Sequence, residues 1–288
     1  MRVCIRVFGI VQGVGFRPTV KRHADACDIA GSVSNKGPYV EIFAEGSEEC
    51  VNSFIKQIQE EPPKRAVILK LDVENVESGE DGIHKVESET DSKEKFQIIE
   101  SEKEEGEIFV SPDIAICPEC KKELYDKNDR RYLHPFINCT CCGPRLTILD
   151  SMPYDRVRTS MGEFPMCEKC EYEYTHAETR RFDAQPVCCN DCGPEVYLLG
   201  RKERGANAIR YTRKVISEGG IVAVKGIGGF HLCCDAAKEE TVARLRQRKK
   251  RPMKPFAVMM KDLDVVRREC ETEPHLEEIL DGHQKPII

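Results

Sequence analysis

The sequence predicts an α+β chain of several small domains, and three observations carry that prediction. Residues 1–100 read in the order β-α-β-β-α-β with a closing strand, the pattern of a split βαβ sandwich. Four Cys-x-x-Cys pairs then follow at gaps of 18, 24 and 18 residues. After Gly200 helices and strands alternate again, as in an α/β domain, and the chain stops at Ile287-Ile288 where another strand would begin. A length of 288 residues holds two or three domains. With 33% charged residues, 7% aromatics and no Trp, small domains with solvated connections suit the chain better than one large core.

The first domain is assigned to residues 1–100. Val3–Phe8 form a short strand, a Gly-rich turn follows, and Pro18 opens a helix to about Cys27, since proline favours the first helical turn. Gly31–Asn35 and Tyr39–Ala44 pair around the turn Lys36-Gly37-Pro38. Ser47 to Glu60 is an amphipathic helix with Val51, Phe54, Ile55 and Ile58 on one face, and Pro62-Pro63 ends it. Val67–Val76 and Phe96–Ile99 complete the strands, with the polar stretch Glu77–Glu94 as a loop between them. An acidic linker at 101–112, containing Glu102, Glu104, Glu105 and Glu107, leads into the cysteine region.

In residues 113–198, Cys117/Cys120 and Cys139/Cys142 recur 50 positions later as Cys167/Cys170 and Cys189/Cys192. The same offset maps Arg130-Arg131-Tyr132 onto Arg180-Arg181-Phe182 and Gly143-Pro144 onto Gly193-Pro194, so this is an internal repeat. A Cys-x-x-Cys turn aims two thiolates at one tetrahedral ion, and two turns close a Cys₄ zinc site. Eight ligands imply two structural Zn²⁺ ions. Cys141 and Cys188 adjoin ligand pairs, but Cys139 and Cys189 preserve the spacing and the repeat. Spacing leaves open whether each repeat binds its own ion or outer and inner pairs combine. Disulfides need an oxidising compartment. The start Met1-Arg2-Val3-Cys4-Ile5-Arg6 lacks a signal peptide's apolar stretch and no apolar run reaches membrane-spanning length, so a cytoplasmic protein with reduced thiols is expected. The other six cysteines, Cys4, Cys27, Cys50, Cys233, Cys234 and Cys270, read as packing residues.

Residues 204–288 form the third, incomplete domain. Ala206–Glu218 is a helix ended by Gly219-Gly220, Ile221–Val224 a buried strand and Glu239 to about Lys249 a second helix. Phe256–Met260 reads as a strand and Leu263–Cys270 as a helix. Seven basic residues and no acid lie between Arg244 and Lys254, against a chain net charge of −6. Such a run is ordinarily a solvated face.

Two stretches carry chemistry. In Phe8-Gly9-Ile10-Val11-Gln12-Gly13-Val14-Gly15-Phe16-Arg17 a strand passes to a helix N-terminus. Gly13, Val14, Gly15 and Phe16 offer backbone amides to an anion, and Arg17 adds a permanently charged fork suited to phosphate oxygens. The run resembles the acylphosphatase signature, and Asn35, in Gly31-Ser32-Val33-Ser34-Asn35, falls where that family has its catalytic asparagine. The resemblance implies a ferredoxin-like sandwich in which Arg17 binds and polarises an acyl phosphate while Asn35 orients the attacking water. Catalysis would then rest on placement and electrostatics, with no covalent intermediate. His23, on the first helix, reads as a surface or packing residue. Farther on, Lys225–Leu232, Cys234-Asp235-Ala236 and Lys249–Val258 resemble the beginning of the YrdC/Sua5 family, which binds ATP. By that resemblance Lys249, Arg251 and Lys254 neutralise triphosphate charge, although Gly226-Ile227-Gly228 stands where threonines and an acid are usual.

The three parts in this order, with Cys117-Pro118-Glu119-Cys120, Phe136–Thr140 and Gly143-Pro144-Arg145, resemble the HypF family of hydrogenase-maturation carbamoyltransferases. The resemblance implies hydrolysis of carbamoyl phosphate in the first domain and carbamoyl-AMP formation from ATP in the third. A further, Kae1-like domain, expected on a complementary chain or a longer protein, would pass the carbamoyl group to the C-terminal cysteine of a HypE-like partner. Two other readings compete: a stand-alone acylphosphatase with inert appendages, and a zinc-ribbon nucleic-acid-binding protein. The acidic net charge, the few aromatics and the unexplained N-terminal motif argue against the latter.

Overall fold

The computed structural model describes residues 1–76, 95–99, 101 and 111–288. The expected loop Glu77–Glu94 and most of the acidic linker lie outside the described residues. The chain divides into two compact units, one of residues 1–113 and 138–188, the other of residues 114–137 and 189–288.

The first unit opens with β1 (Arg2–Ile10), α1 (Phe16–Ala26), β2 (Ala30–Asn35), β3 (Tyr39–Glu45), α2 (Glu48–Glu60), β4 (Val67–Asn75) and β5 (Phe96–Ile98). The sheet order is β4-β1-β3-β2-β5, the expected ferredoxin-like topology. β1 is antiparallel to both neighbours, with Val7 opposite Val40 of β3 and Leu71 of β4. β5 closes the sheet parallel to β2, with Gly31 opposite Phe96. The core lies between sheet and helices: Val3, Ile5 and Val7 alternate along β1, the two-residue period of a half-buried strand. They share one cluster with Val20 and Ala24 of α1 and with Val51, Phe54 and Ile58 of α2. Phe54 meets Phe96 edge-on with ring centroids 6.1 Å apart. Ser47 caps α2 by accepting from the Cys50 amide, satisfying one of the donors a helix start leaves open. Helix α1 begins two residues before Pro18, because the left-handed Gly15 supplies its N-cap. Pro18 still sits in the first turn, where no intrahelical donor is required.

The cysteine repeats fold alike. Helix α3 (Pro118–Tyr125) starts at Cys117 and α4 (Glu168–Thr175) at Cys167, each cysteine standing at the N-cap. Leu133 and Asp183, 50 positions apart, both adopt positive φ, 52° and 55°. Each sends its amide back to the preceding helix at 2.9 Å, Leu133 to the Leu124 carbonyl and Asp183 to the Tyr174 carbonyl. The repeat seen in sequence is therefore a repeat of backbone conformation.

The second unit continues with α5 (Gly205–Ser217), β6 (Val222–Lys225), β7 (Phe230–Cys233), α6 (Glu239–Lys249), α7 (Leu263–Glu269) and α8 (Pro274–Leu280). Strands β6 and β7 form an antiparallel hairpin, a two-stranded sheet of its own. Three expectations fail here. The strand read at Ile221–Val224 exists, but it is not buried: Ala223 and Val224 are exposed. Phe256–Met260 forms no strand and Met259 is 99% exposed. Ile287 and Ile288 likewise stay irregular. The common reason is pairing, since among the described residues no third strand joins the hairpin, and an isolated extended segment gains no ladder. Strand β7 and helix α8, which begins at Pro274, are elements the sequence reading did not assign.

Candidate active site and paired cysteine clusters

The turn from β1 to α1 builds the site. Gly13 and Gly15 take φ of 70° and 78°, where an L side chain is strained. A Cβ at Gly13 would also press on the Arg145 side chain at 3.1 Å. Val14 and Phe16 anchor the turn by entering the core. At the start of α1 the amides of Phe16 and Arg17 lack intrahelical acceptors, and a helix N-terminus of this kind suits an anion. Asn35, the last residue of β2, is 1% exposed, and its Oδ1 has no hydrogen-bond partner. Arg17 and Asn35 thus line one small cavity with Gly13 and Gly15. Arg145, Tyr154 and Asp183 of the cysteine-rich segment complete its wall. His23 lies outside it, its Nε2 on the Glu61 carbonyl at 3.1 Å, in agreement with its reading as a surface or packing residue.

Arg17 is buried, and its guanidinium meets two carboxylates. Nε lies 3.0 Å and Nη2 3.4 Å from the two oxygens of Asp183, while Nη1 donates to Asp155 at 3.0 Å and to Ser101 Oγ at 3.2 Å. Burial works against the charge on Arg17, yet Asp183 and Asp155 outweigh it and hold the guanidinium above its ordinary range. Burial also pushes the Asp183 carboxyl up; Arg17 pulls it down and Asp155 pushes it further up. Both groups move up, which favours the charge on Arg17 and disfavours that on Asp183, because Arg17 faces two anions whereas Asp183 is buried and faces one cation and a second anion. Gln185 holds Asp183 by donating Nε2–H to its Oδ1 at 2.9 Å, and accepts from the Tyr174 hydroxyl at 3.0 Å. Burial, with Asp183 adding to it, raises the Tyr174 phenol to about 12.

Arg145, 1% exposed, ties the turn to the first cysteine knuckle. Its guanidinium donates to the main-chain carbonyls of Gly13, Pro144, Cys139 and Thr140, the last three at 2.8, 2.8 and 3.0 Å. Gln12 adds a second tie, donating to the Gly37 carbonyl at 2.8 Å and accepting from the Tyr154 amide at 3.3 Å.

The thiols of Cys117, Cys120, Cys139 and Cys142 all lie within 4.8 Å of one another, as do those of Cys167, Cys170, Cys189 and Cys192. Each repeat therefore gathers its own four thiols, which answers the question spacing left open. Tetrahedral zinc with Zn–S near 2.3 Å needs sulfurs about 3.8 Å apart. Cys139 and Cys142 stand at 3.7 Å and Cys189 and Cys192 at 3.9 Å. Main-chain amides point at the sulfurs, Cys141 N at Cys139 Sγ (3.3 Å) and Asp191 N at Cys189 Sγ (3.4 Å), and would stabilise thiolates. The set fits closed, structural zinc. Cys141, exposed, and Cys188, buried, belong to neither cluster.

Lys249, Arg251 and Lys254 stand at and beyond the end of α6, in the second unit. Lys249 and Lys254 are exposed, while Arg251 donates to the Pro255 carbonyl at 3.2 Å and lies over the Phe256 ring at 5.4 Å. The sequence reading missed Arg145 and Asp183 at the cavity, and Asp155 beside Arg17. Two breaks in the repeat carried a signal for the second of these: Leu133 and Pro135 in one copy correspond to Asp183 and Gln185 in the other.

A ferredoxin-like sheet bearing a Gly-Val-Gly-Phe-Arg turn, joined to two Cys₄ clusters, defines an acylphosphatase-type domain carried on a structural zinc module. Family models agree: "Acylphosphatase" matches residues 3–97, "HypF finger" residues 116–149 and 166–199, and "Telomere recombination", the Sua5/YrdC model, residues 214–287. Over 83 residues the chain is 46% identical to an acylphosphatase of Caldivirga maquilingensis and covers 86% of it. It is 52% identical over 266 residues to a probable carbamoyltransferase HypF of Methanocaldococcus jannaschii, covering 91% of this chain and 33% of that protein. A solved full-length HypF in a phosphate- and nucleotide-bound form superposes with a TM-score of 0.87 at 44% identity, over 98% of this chain and 36% of the other. The HypF of T. kodakarensis gives 0.85 at 41%, over 99% and 35%. The chain belongs to the HypF family and corresponds to the N-terminal portion of its carbamoyltransferases. It spans about a third of the length of these relatives. Among the described residues no helix is long and apolar enough to cross a membrane.

Proposed function

We propose that this chain hydrolyses carbamoyl phosphate to carbamate and phosphate as the first step of carbamoyl transfer. The observation that carries the reading is the cavity itself: Arg17 and Asn35, whose Oδ1 is unpartnered, line it together with the turn that opens α1. The phosphoryl group sits against the amides of residues 13–17 with Arg17 compensating its charge. A water donates one hydrogen bond to Asn35 Oδ1, and its oxygen bonds to phosphorus as the bond from phosphorus to the carbamate oxygen breaks. The water's second proton ends on the released phosphate. A mixed anhydride is already activated, so positioning and electrostatics suffice.

The two Cys₄ clusters each hold one Zn²⁺ as rigid struts, since a closed Cys₄ site offers no open coordination position to substrate. The Sua5/YrdC-like part joins carbamate to AMP from ATP, with Lys249, Arg251 and Lys254 drawing in the triphosphate. Support for that step comes from the nucleotide-bound relative and the matching family model. The carbamoyl group then passes, through a portion found in longer relatives, to the C-terminal cysteine of a HypE-like partner in the cytoplasm. Phosphate release from carbamoyl phosphate by the zinc-loaded chain tests the first step. Turnover that Asn35→Ala lowers more than it lowers affinity for inorganic phosphate supports the reading. No turnover by the wild-type chain contradicts it.

A further inference from the structure

The repeat supplies an internal control for Asp183. Leu133 and Asp183 occupy the same place in successive copies, with the same left-handed backbone and the same amide bond to the preceding helix. A leucine therefore meets every backbone requirement of this position, and the zinc fold itself asks for no carboxylate. What the second copy has instead is an acid aimed at Arg17. Two positions on, Pro135 in one copy becomes Gln185 in the other, and Gln185 donates to Asp183 at 2.9 Å. The acid and the amide that orients it depart from the repeat together. Asp155 is held in a comparable way, one oxygen receiving Arg17 and the other receiving Arg158 at 3.2 Å.

Together Asp183, Asp155 and Ser101 direct four of the five N–H bonds of the Arg17 guanidinium. Among the described residues the fifth, on Nη2, has no protein acceptor. We propose that Asp183, backed by Asp155, is a positioning residue of the acyl phosphate site, contributed by the zinc module to fix the guanidinium plane of Arg17. The inference rests on the hydrolytic function proposed above. It makes the cysteine module a working part of that site in addition to a strut.

The charges give the proposal a signature that loss of fold would not share. Arg158 balances Asp155, but the carboxyl of Asp183 lies in the cavity wall itself, where any negative charge on it opposes an incoming phosphate. Removing Asp183 relieves that opposition, so KM stays level or falls. The guanidinium is then tethered only through Nη1, and misplacement of such a group by about 1 Å costs on the order of 100-fold in rate. The test compares wild type, Asp183→Leu and Asp183→Asn as complete zinc-loaded chains, with benzoyl phosphate as substrate and inorganic phosphate as competing ligand. Leucine is the residue the first copy already carries here; asparagine keeps an oxygen acceptor without the charge. Both variants are expected to retain wild-type zinc content. Asp183→Leu should lower kcat about 10- to 100-fold with KM and phosphate inhibition constant not raised, and Asp183→Asn should fall between it and wild type. Unchanged kcat in a zinc-loaded variant, or a raised KM, overturns the proposal while leaving the hydrolytic reading intact. If Asp183→Leu loses zinc, Asp183→Asn decides on the same criteria. A wild-type chain without turnover overturns both readings.

Discussion

Replacing Arg145 tests how the cradle turn is held. The side chain is 1% exposed, and its guanidinium serves four main-chain carbonyls, those of Gly13, Cys139, Thr140 and Pro144. A hydrogen bond to a charged group contributes about 1.5–3 kcal/mol, so four taken separately would exceed any ordinary single-residue effect. Relaxation and water entry recover part of that, and about 3 kcal/mol is the expected cost of Arg145→Ala, at the large end of single substitutions and in keeping with a broken buried hydrogen-bond network. Arg145→Lys separates charge from shape. A lysine ammonium keeps the charge but is a compact point that cannot span four acceptors set around a planar fork, so at least about 2 kcal/mol should still be lost. Urea unfolding of the zinc-loaded chain, followed by tyrosine near-ultraviolet dichroism because the chain lacks Trp, measures both. A cost below about 1 kcal/mol for Arg145→Ala would refute the reasoning, and stability equal to wild type in Arg145→Lys would refute the geometric half of it.

Two further outcomes follow from the clusters and from Tyr174. Metal analysis of reduced protein should find two zinc ions per chain, one after Cys117→Ser/Cys120→Ser, and still two after Cys141→Ser or Cys188→Ser, because only the eight clustered thiols converge. Burial raises the Tyr174 phenol to about 12, so the native state keeps this proton to higher pH than the unfolded chain, whose tyrosines titrate near ~10. The stability this contributes is fully present below pH ~10 and is lost as pH rises toward ~12, at about 1.4 kcal/mol per pH unit. Tyr174→Phe should flatten the fall in stability over this window. Parallel wild-type and variant curves above pH ~10 would contradict the assignment.

What the sequence disclosed and what it hid follow from how local each signal is. The β1–α1 turn was legible because Gly13 and Gly15 answer a local backbone need, and the paired cysteines because one ion imposes a fixed spacing. The strand order followed from alternating apolar residues such as Val3, Ile5 and Val7. Arg145 was not legible as a buried tie, since its acceptor on Gly13 lies 132 positions away and no pattern encodes that meeting. The pairs of Arg17 with Asp155 and Asp183 were hidden for the same reason. Phe256–Met260 shows the opposite error: its apolar run was sufficient for a strand by composition, but a strand also needs a neighbour, and none of the described residues supplies one.

The central claim is that Arg17 and the β1–α1 turn form an acyl phosphate site. Its most direct measurement is the rate of phosphate release from carbamoyl phosphate by wild type and Arg17→Ala, both zinc-loaded. Loss of a preorganised charge-stabilising donor costs on the order of 10²–10³ in rate, and Arg17→Ala should reach or exceed that. Wild-type turnover that survives in Arg17→Ala would contradict the account.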